Sequence, residues 1–232
     1  MIGLNLSPFG GKRSFGVAST LNNGLVSAWS AEGNANDYLG LVNGTLKNGA
    51  TAAGTAKVGS NSFSFDGVND SVSFDSESWS QSTAQTWSAW IYSNNIASDQ
   101  GVMWNTRPSD AGAGLGIWIT GSKAYFRFCY VGNAIDLGTT TTLSSSTWYH
   151  IVGTKATGGV AKIYLNGTLE NTGANSNNVE FSGTQSCSIG QWNANGLFFN
   201  GNIDAVQIYN RVLSATEITE LYNTGNGKQP PF

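Results

Sequence analysis

The chain has 232 residues, of which 40% are apolar, 12% aromatic and only 11% charged, with a net charge of −3. A chain of this length buries about 70% of its surface on folding, so we expect one domain with a full core, as in many all-β sandwiches. The weak negative charge argues against a nucleic-acid-binding face, and the absence of an 18-residue apolar run argues against membrane insertion.

The first 24 residues are rich in Gly, Ser and Asn without a sustained hydrophobic period, and we interpret residues 1–24 as an N-terminal arm. Lys12 and Arg13 follow the apolar residues, which is the reverse of a secretory signal. Apolar side chains recur at near-alternate positions, as in a strand that joins a neighbouring sheet: Ile2, Leu4, Leu6 and Phe9. We therefore expect the arm to contact other subunits.

From residue 25 the chain breaks into short strand-like runs separated by Gly, Asn, Asp and Ser clusters. The clearest runs are residues 25–30, 62–67, 71–75, 86–92, 101–105, 115–120, 124–130, 148–155, 160–167, 185–190 and 203–209. No helical stretch separates them, which excludes βαβ units. The pattern predicts an all-β fold, a two-sheet antiparallel sandwich.

Two hairpins are predicted from turn residues. The run VAKIYLNGTLEN turns at Asn166-Gly167, a pair typical of a type I′ turn. The run FSFDGVNDSVSF contains the triplet SFD twice, and we interpret its two halves as the arms of one hairpin that turns at residues 67–70.

One short helix is predicted near the C-terminus, in RVLSATEITELYNTG. Ser214 and Glu217 have the spacing of a capping box, and Gly225 is placed to end the helix. One apolar face is formed by Ile218, Leu221 and Tyr222. A helix this short is stable only when it is docked on the sandwich.

Six segments occur in an order that points to a known family: AEGNANDYLGLVNGTLKNGA, KVGSNSFSFDGVNDSVSF, TWSAWIY, STWYHIVGTKATGGVAKIYLNGTL, SCSIGQW and GNIDAVQIYNRVLSATEITELY. Together they resemble the laminin-G-like branch of the concanavalin A-like lectin/glucanase superfamily. The resemblance implies a jelly roll of two antiparallel sheets over residues 25–224, with a C-terminal tail at residues 225–232.

Outward-facing aromatic residues predict sugar binding. Strand alternation turns Ile117 and Ile119 toward the core and Trp118 away from it, and it likewise turns Arg127 outward. The apolar face of a sugar ring stacks on an indole, and its hydroxyls accept hydrogen bonds from planar donors. The candidate carbohydrate-binding residues are Trp118, Arg127, Trp192 and Asn195. The alternative is that loops, the arm or a neighbouring subunit cover these aromatic rings.

A calcium site is expected in the loop at residues 32–37, where oxygen-bearing side chains alternate around a glycine. Many laminin-G-like and pentraxin-like jelly rolls bind one or two calcium ions. The resemblance makes the candidate ligands Glu32, Asn34, Asp37 and Asp204. The alternative is that Asn34 and Asp37 cap turns and that Asp204 is a structural acceptor.

Hydrolysis is not expected, although the resembled superfamily includes glucanases. A retaining glycosidase needs two carboxylates about 5–5.5 Å apart, and the Glu-x-Asp-x-x-Glu strand of the β-glucanase branch is absent here. Glu217 and Glu220 lie on the predicted helix. The single histidine, His150, has no obvious serine or cysteine partner in a nucleophile setting and is interpreted as a packed, hydrogen-bonded strand residue.

Two classes of function remain. The first is a non-catalytic structural or adhesion protein on a bacteriophage virion surface, as capsid decoration or tail-associated protein. Such a protein would be oligomeric or part of an assembly, contact other virion subunits through the arm and bind cell-surface glycans. The alternative is a secreted, extracellular bacterial carbohydrate-binding or cell-adhesion module.

Overall fold

A computed structural model describes residues 19–76, 84–106, 114–130, 133–174, 185–192 and 196–232. In chain order the strands are β1 (Leu25–Trp29), β2 (Thr45–Lys47), β3 (Thr51–Thr55), β4 (Asn61–Asp66), β5 (Ser71–Ser76), β6 (Gln85–Ser93), β7 (Gln100–Thr106), β8 (Gly114–Thr120), β9 (Lys123–Tyr130), β10 (Asn133–Gly138), β11 (Trp148–Lys155), β12 (Val160–Leu165), β13 (Thr168–Ala174), β14 (Gln185–Ile189), β15 (Gln191–Trp192), β16 (Leu197–Phe198) and β17 (Asn200–Tyr209). The helix α1 (Ala215–Tyr222) follows.

Within the described ranges, the strands form two large antiparallel sheets and a two-stranded ribbon. The eight-stranded sheet has the order β13-β12-β11-β6-β17-β4-β3, and β1 also pairs with β17. The seven-stranded sheet has the order β10-β9-β8-β7-β14-β5-β2, while β15 pairs with β16. This architecture confirms the predicted two-sheet jelly roll with one short C-terminal helix.

The main core lies between the two large sheets. Alternate residues of both sheets contribute large buried side chains, including Trp29, Phe63, Trp87, Phe126 and Ile203. Gly153 lets the Phe126 ring cross the facing sheet, since a Cβ there would lie 2.2 Å from a ring carbon. The packing of these rings fixes the register, because a one-residue slip would turn each of them to the other face.

The predicted hairpin at residues 67–70 is wrong. β4 pairs with β17 and β3, whereas β5 pairs with β14 and β2, so the two strands belong to different sheets. The intervening turn carries the chain from one sheet to the other. Asp70 holds this crossing in place, because its carboxylate accepts hydrogen bonds from Asp66 N (3.0 Å) and from Gly49 N (2.7 Å). The other predicted turn is confirmed, since Asn166 and Gly167 both have positive φ (50° and 77°).

The C-terminal helix begins as predicted but ends earlier. Ser214 is the N-cap, and Glu217 completes the capping box. The left-handed residue that ends α1 is Asn223 (φ 49°), and a 3-10 turn then extends over Asn223–Gly225. The helix packs on the outer surface of the eight-stranded sheet through Ile218 and Leu221, which lie in a second buried apolar cluster.

Both ends of the described chain pack on this same surface. Leu21 is fully buried in the second cluster, although the sequence assigns it to the arm. In the tail, Lys228 forms an ion pair with Glu220 (2.8 Å), and its carbonyl accepts a hydrogen bond from Gln207 (2.8 Å). The rest of the predicted arm, residues 1–18, lies outside the described residues. Over the described ranges, we find no helix with the length and apolar character of a membrane span.

Candidate functional site

The outer face of the seven-stranded sheet carries a cluster of aromatic side chains. Trp118 lies on β8 opposite Tyr125 of β9, and their ring centroids are 5.6 Å apart. Arg127, two residues further along β9, lies opposite Gly116. Leu115 and Ile117 on β8 and Phe126 and Phe128 on β9 point instead into the core, as the alternation predicts.

Glycines form a floor on which these rings lie. Trp104, on β7, projects over β8, where the facing residues are Gly114 and Gly116. A Cβ at either glycine would lie 2.4 Å from a carbon of the Trp104 ring. Tyr125 crosses Gly138 of β10 in the same way, because a Cβ there would lie 2.5 Å from its ring. Any larger residue at these positions would lift the rings off the sheet.

Trp192 is enclosed by the other rings. Its indole stacks on that of Trp104, with ring centroids 4.5 Å apart and planes inclined by 17°. It meets Trp118 edge-on at 4.4 Å. The chain approaches the sheet closely here, because a Cβ on Gly101 would lie only 2.0 Å from Trp192 N. With only 8% of its surface exposed, Trp192 supports the cluster and does not present an open stacking surface.

Arg127 covers the remaining side of this cluster. Its guanidinium lies 5.1 Å from the centroid of the Trp192 ring and 6.0 Å from that of Trp118, within cation–π range. It also forms an ion pair with Asp136 of β10 at 3.0 Å. The structure thus brings together three of the four predicted sugar-binding residues, Trp118, Arg127 and Trp192. The fourth, Asn195, lies outside the described residues.

Three N–H groups of the cluster are buried without an acceptor in the described part of the chain: Trp104 Nε1, Trp118 Nε1 and Arg127 Nε. Leaving a buried donor unpaired costs about 1–3 kcal/mol. A hydrogen-bond acceptor that reached one of these N–H groups would therefore stabilise the cluster.

Sequence reasoning missed three members of this cluster, Trp104, Tyr125 and Asp136. The sequence does contain a signal for Trp104, because it alternates with the core residue Met103, and two alternate glycines, 114 and 116, follow on the next strand. Asp136 is different. Its position beside Arg127 depends on the register of β10 against β9, which the local sequence does not specify.

A family model, Laminin_G_3, whose description is the concanavalin A-like lectin/glucanases superfamily, matches residues 66–219, more than half of the chain. The chain belongs to the concanavalin A-like lectin/glucanase superfamily. The matched range includes every strand of the aromatic cluster, so the cluster is part of the superfamily domain and not of an added segment.

Similar solved structures share the superfamily fold at low identity. Domain 4 of AbnA, an extracellular arabinanase from Geobacillus stearothermophilus in complex with arabinotriose, has a TM-score of 0.69 at 18% identity, covering 84% of this chain and 97% of that one. The binding domain of Paraclostridial Mosquitocidal Protein 1 has a TM-score of 0.70 at 19% identity, covering 88% and 53%. The botulinum neurotoxin serotype D binding domain has a TM-score of 0.67 at 17% identity, covering 87% and 52%.

The chain therefore spans about half the length of the toxin binding domains and nearly the whole arabinanase domain. At these identities the likeness shows a shared fold. No curated protein sequence matches the chain.

Both carboxylate oxygens of Asp37, a predicted calcium ligand, accept hydrogen bonds from backbone N–H groups. Its Oδ1 accepts a hydrogen bond from Ala28 N at 2.8 Å, and its Oδ2 accepts from Leu41 N and Val42 N at 3.1 and 3.2 Å. Asn34 forms a local turn, since its Oδ1 accepts from Asn36 N at 2.8 Å. Donors aimed at these oxygens stabilise the loop and occupy the lone pairs that a cation would need.

Asp204 and Glu32 hold a different loop, the one between β3 and β4. Asp204 Oδ2 accepts hydrogen bonds from Lys57 N and Val58 N, both at 2.8 Å, and Glu32 Oε1 accepts from Ser60 N at 2.8 Å. Burial raises the pKa of Asp204 to about 6, against the opposing effect of these N–H donors.

The four candidate ligands therefore cap two loops, Asn34 and Asp37 one and Glu32 and Asp204 the other, and they do not form one ligand set for a calcium ion. No group of three or more His, Cys, Asp or Glu side chains within the described ranges could hold a metal. Calcium binding stays a prediction of the family resemblance.

His150 has a serine partner that the sequence did not reveal. Its Nε2 lies 2.9 Å from Ser88 Oγ, and its ring stacks on Trp90 with centroids 5.1 Å apart. Both members of the pair are buried, and burial lowers the pKa of His150 to about 3. Because substrate has no access to Ser88 and Nδ1 of His150 has no partner among the described residues, the pair lacks the features of a nucleophilic site. The packed, hydrogen-bonded role predicted for His150 agrees with this geometry.

Proposed function

We propose that this domain binds carbohydrate on the outer face of the seven-stranded sheet, with Trp118 as the stacking ring and Arg127 as the hydrogen-bond donor. Trp192 and Trp104 support them from below. The observation that carries the proposal is the position of a partly exposed guanidinium beside a partly exposed indole, on a floor of glycines. Such a surface offers an apolar face and directional donors together, which is what a sugar ring requires.

The relatives are consistent with this proposal. The arabinanase domain that spans nearly the same length was solved with arabinotriose, and the toxin relatives are described as binding or receptor-binding domains. We propose a binding role without catalysis, because the carboxylate in the cluster, Asp136, pairs with Arg127 and not with a second carboxylate.

The test is a glycan array, probed with the wild-type protein and with Trp118→Ala, each with and without calcium. We expect Trp118→Ala to weaken binding about tenfold or more, since a stacking ring at the centre of a contact dominates its energy. The matched control is Trp148→Ala, which removes a partly exposed indole from the other sheet. Equal binding by the wild type and Trp118→Ala would contradict the proposed site, and release of reducing ends from a bound polysaccharide would contradict the non-catalytic role.

The setting that we propose is the surface of a bacteriophage virion, with residues 1–18 of the predicted arm contacting other subunits; a secreted bacterial module is the alternative. The spaced apolar residues of the arm support the first setting. Both settings use the same glycan chemistry.

Deleting residues 1–18 is expected to leave a folded, soluble domain that no longer joins its assembly. The deletion stops before Leu21, because that side chain is fully buried against the sandwich. Thermal melting checks the fold, and incorporation into particles checks the assembly. Normal incorporation of the truncated protein would contradict the arm's proposed role, while a deletion through residue 24 should melt at a lower temperature.

A further inference from the structure

The pair formed by Arg127 and Asp136 limits which glycans the proposed site can accept. Resting on the proposed function, we infer that the site takes neutral glycans with adjacent hydroxyl groups and discriminates against anionic ones, and that Asp136 is the residue that sets this preference.

The geometry places a donor and an acceptor side by side. In the register of β9 against β10, Asp136 lies directly opposite Arg127. Arg127 Nη1 donates to both carboxylate oxygens of Asp136, at 3.0 Å and 3.4 Å. The two side chains remain 25% and 33% exposed, so the pair is open to solvent on one side.

The hydrogen-bonding capacity of this pair is not exhausted. A guanidinium has five N–H donors and a carboxylate about four acceptor positions. Among the described residues, Arg127 Nη2 has no partner, and Nη1 is the sole donor to Asp136. Adjacent hydroxyls of a sugar ring need one acceptor and one donor at this spacing, because each hydroxyl both donates and accepts.

The other arginine–carboxylate pair of the described chain shows what a saturated pair looks like. Arg211 binds Glu217 through both Nη1 and Nη2, at 2.9 Å and 2.6 Å, and donates further to backbone carbonyls. The Glu217 carboxylate also accepts from Ser214 N and from Thr20 Oγ1. That pair is built into the helix cap, whereas the pair of Arg127 and Asp136 has free capacity on its exposed side.

Charge decides between neutral and anionic ligands. The positive charge of Arg127 is already compensated by Asp136 at 3.0 Å. A uronate, sialate or sulfate group approaching Nη2 would also approach the Asp136 carboxylate, and like charges that close repel each other. A neutral sugar meets no such repulsion and can use both groups.

The test measures glycan binding by Asp136→Asn in the full chain. For neutral glycans we expect about tenfold weaker binding than wild type, because an amide replaces a charged acceptor. For anionic glycans we expect the reverse, a gain in binding. Wild-type binding should also change little between about 50 and 500 mM NaCl, since a neutral ligand is not screened.

Two further variants make the result specific. Asp75→Asn removes one exposed carboxylate from the same sheet face without contacting Arg127, and it should leave both classes of binding unchanged. Asp136→Glu keeps the negative charge and should still discriminate against anionic glycans, so it tests the charge if the Asn variant folds poorly.

The outcomes separate this inference from the proposed function. Preferential binding of anionic glycans by the wild type, or binding of both classes that is unchanged in Asp136→Asn, would overturn the inference while leaving the site itself in place. Loss of neutral binding in Asp136→Asn, with Asp75→Asn unchanged, would support it. Glycan binding that is insensitive to Trp118→Ala, or no glycan binding at all, would overturn the proposed function and this inference together.

Discussion

Trp104→Ala is expected to lower the free energy of unfolding by about 3–5 kcal/mol, the usual cost of emptying a buried aromatic site. The indole is 2% exposed, lies over two glycines of β8 and carries the stacked ring of Trp192. Its loss removes the support of Trp192 and, through that ring, of Arg127. Glycan binding should therefore fall as well, although Trp104 is buried beneath the proposed binding surface.

The control is again Trp148→Ala, whose partly exposed ring contacts Tyr92 at 5.6 Å on the other sheet. Urea unfolding followed by circular dichroism measures both variants. The Trp148 variant should lose clearly less stability and retain wild-type glycan affinity. Equal losses of stability in the two variants would contradict the account of the glycine floor.

Gly116→Ala should also lower the free energy of unfolding, in this case by adding a methyl group beneath the Trp104 ring. Its Cβ would lie 2.3 Å from Met103 O and 2.4 Å from the Trp104 ring, so either the strand or the ring must move. Overpacking of this kind costs about 1–3 kcal/mol. Gly159→Ala, where the nearest atom to the new Cβ lies at 3.1 Å, is the matched control.

The second large effect is a pH dependence of stability that two buried groups cancel in the wild type. Burial lowers the pKa of His150 from 6.5 to about 3, so the unfolded chain binds the extra proton between these values. Its contribution to stability therefore falls as the pH falls through that range. Burial raises the pKa of Asp204 from 3.8 to about 6, so the folded chain binds the extra proton there. Its contribution therefore rises as the pH falls.

The two slopes overlap between pH 4 and 6 and have opposite signs, each about 1.4 kcal/mol per pH unit at most. In the wild type we expect the free energy of unfolding to change little between pH 6 and 5. His150→Gln should become more stable on acidification over that interval, and Asp204→Asn should become less stable. Urea unfolding at pH 5, 5.5 and 6 measures the three slopes.

Slopes of equal sign in the two variants would contradict this account.

Two other acidic residues do not change this expectation. The negative charge of Glu32 raises the pKa of Asp204, as burial does, because it also disfavours the ionised form of the Asp204 carboxyl. Glu217, whose pKa is held well below its usual range by its hydrogen bonds to Arg211, loses its contribution only below its ordinary value of 4.5. The interval from pH 5 to 6 therefore lies above most of its effect.

Local sequence was sufficient for the features that depend on neighbouring residues. Strand alternation correctly turned Trp118 and Arg127 away from the core, and the spacing of Ser214 and Glu217 correctly predicted the start of α1. It failed where the outcome depends on distant pairing. Residues 62–67 and 71–75 look like one hairpin, yet their partners are strands from elsewhere in the chain, so they enter different sheets.

In the candidate site, too, the sequence predicted what depends on neighbouring residues and failed where distant strand pairing decides. Alternation supplied the outward residues of β8 and β9, but strand register placed Asp136 beside Arg127. The sequence makes Trp192 a candidate sugar-binding residue, with coverage of its ring as the alternative. In the structure the ring is buried, because the glycines at positions 101, 114 and 116 let Trp104 and the chain at Trp192 approach the sheet closely. The family resemblance implies the four calcium ligands, whereas in the folded chain backbone N–H groups donate to carboxylate oxygens of Asp37 and Asp204.

The most direct test of glycan binding at this face is the indole N–H region of an NMR spectrum, recorded while a neutral oligosaccharide such as arabinotriose is added. The eight tryptophans report from different parts of the molecule. We predict saturable shifts of the Trp118 and Trp192 signals, with the core signals of Trp29 and Trp87 unchanged. Saturable binding that leaves Trp118 unmoved, or that shifts only Trp148 on the opposite sheet, would contradict the account.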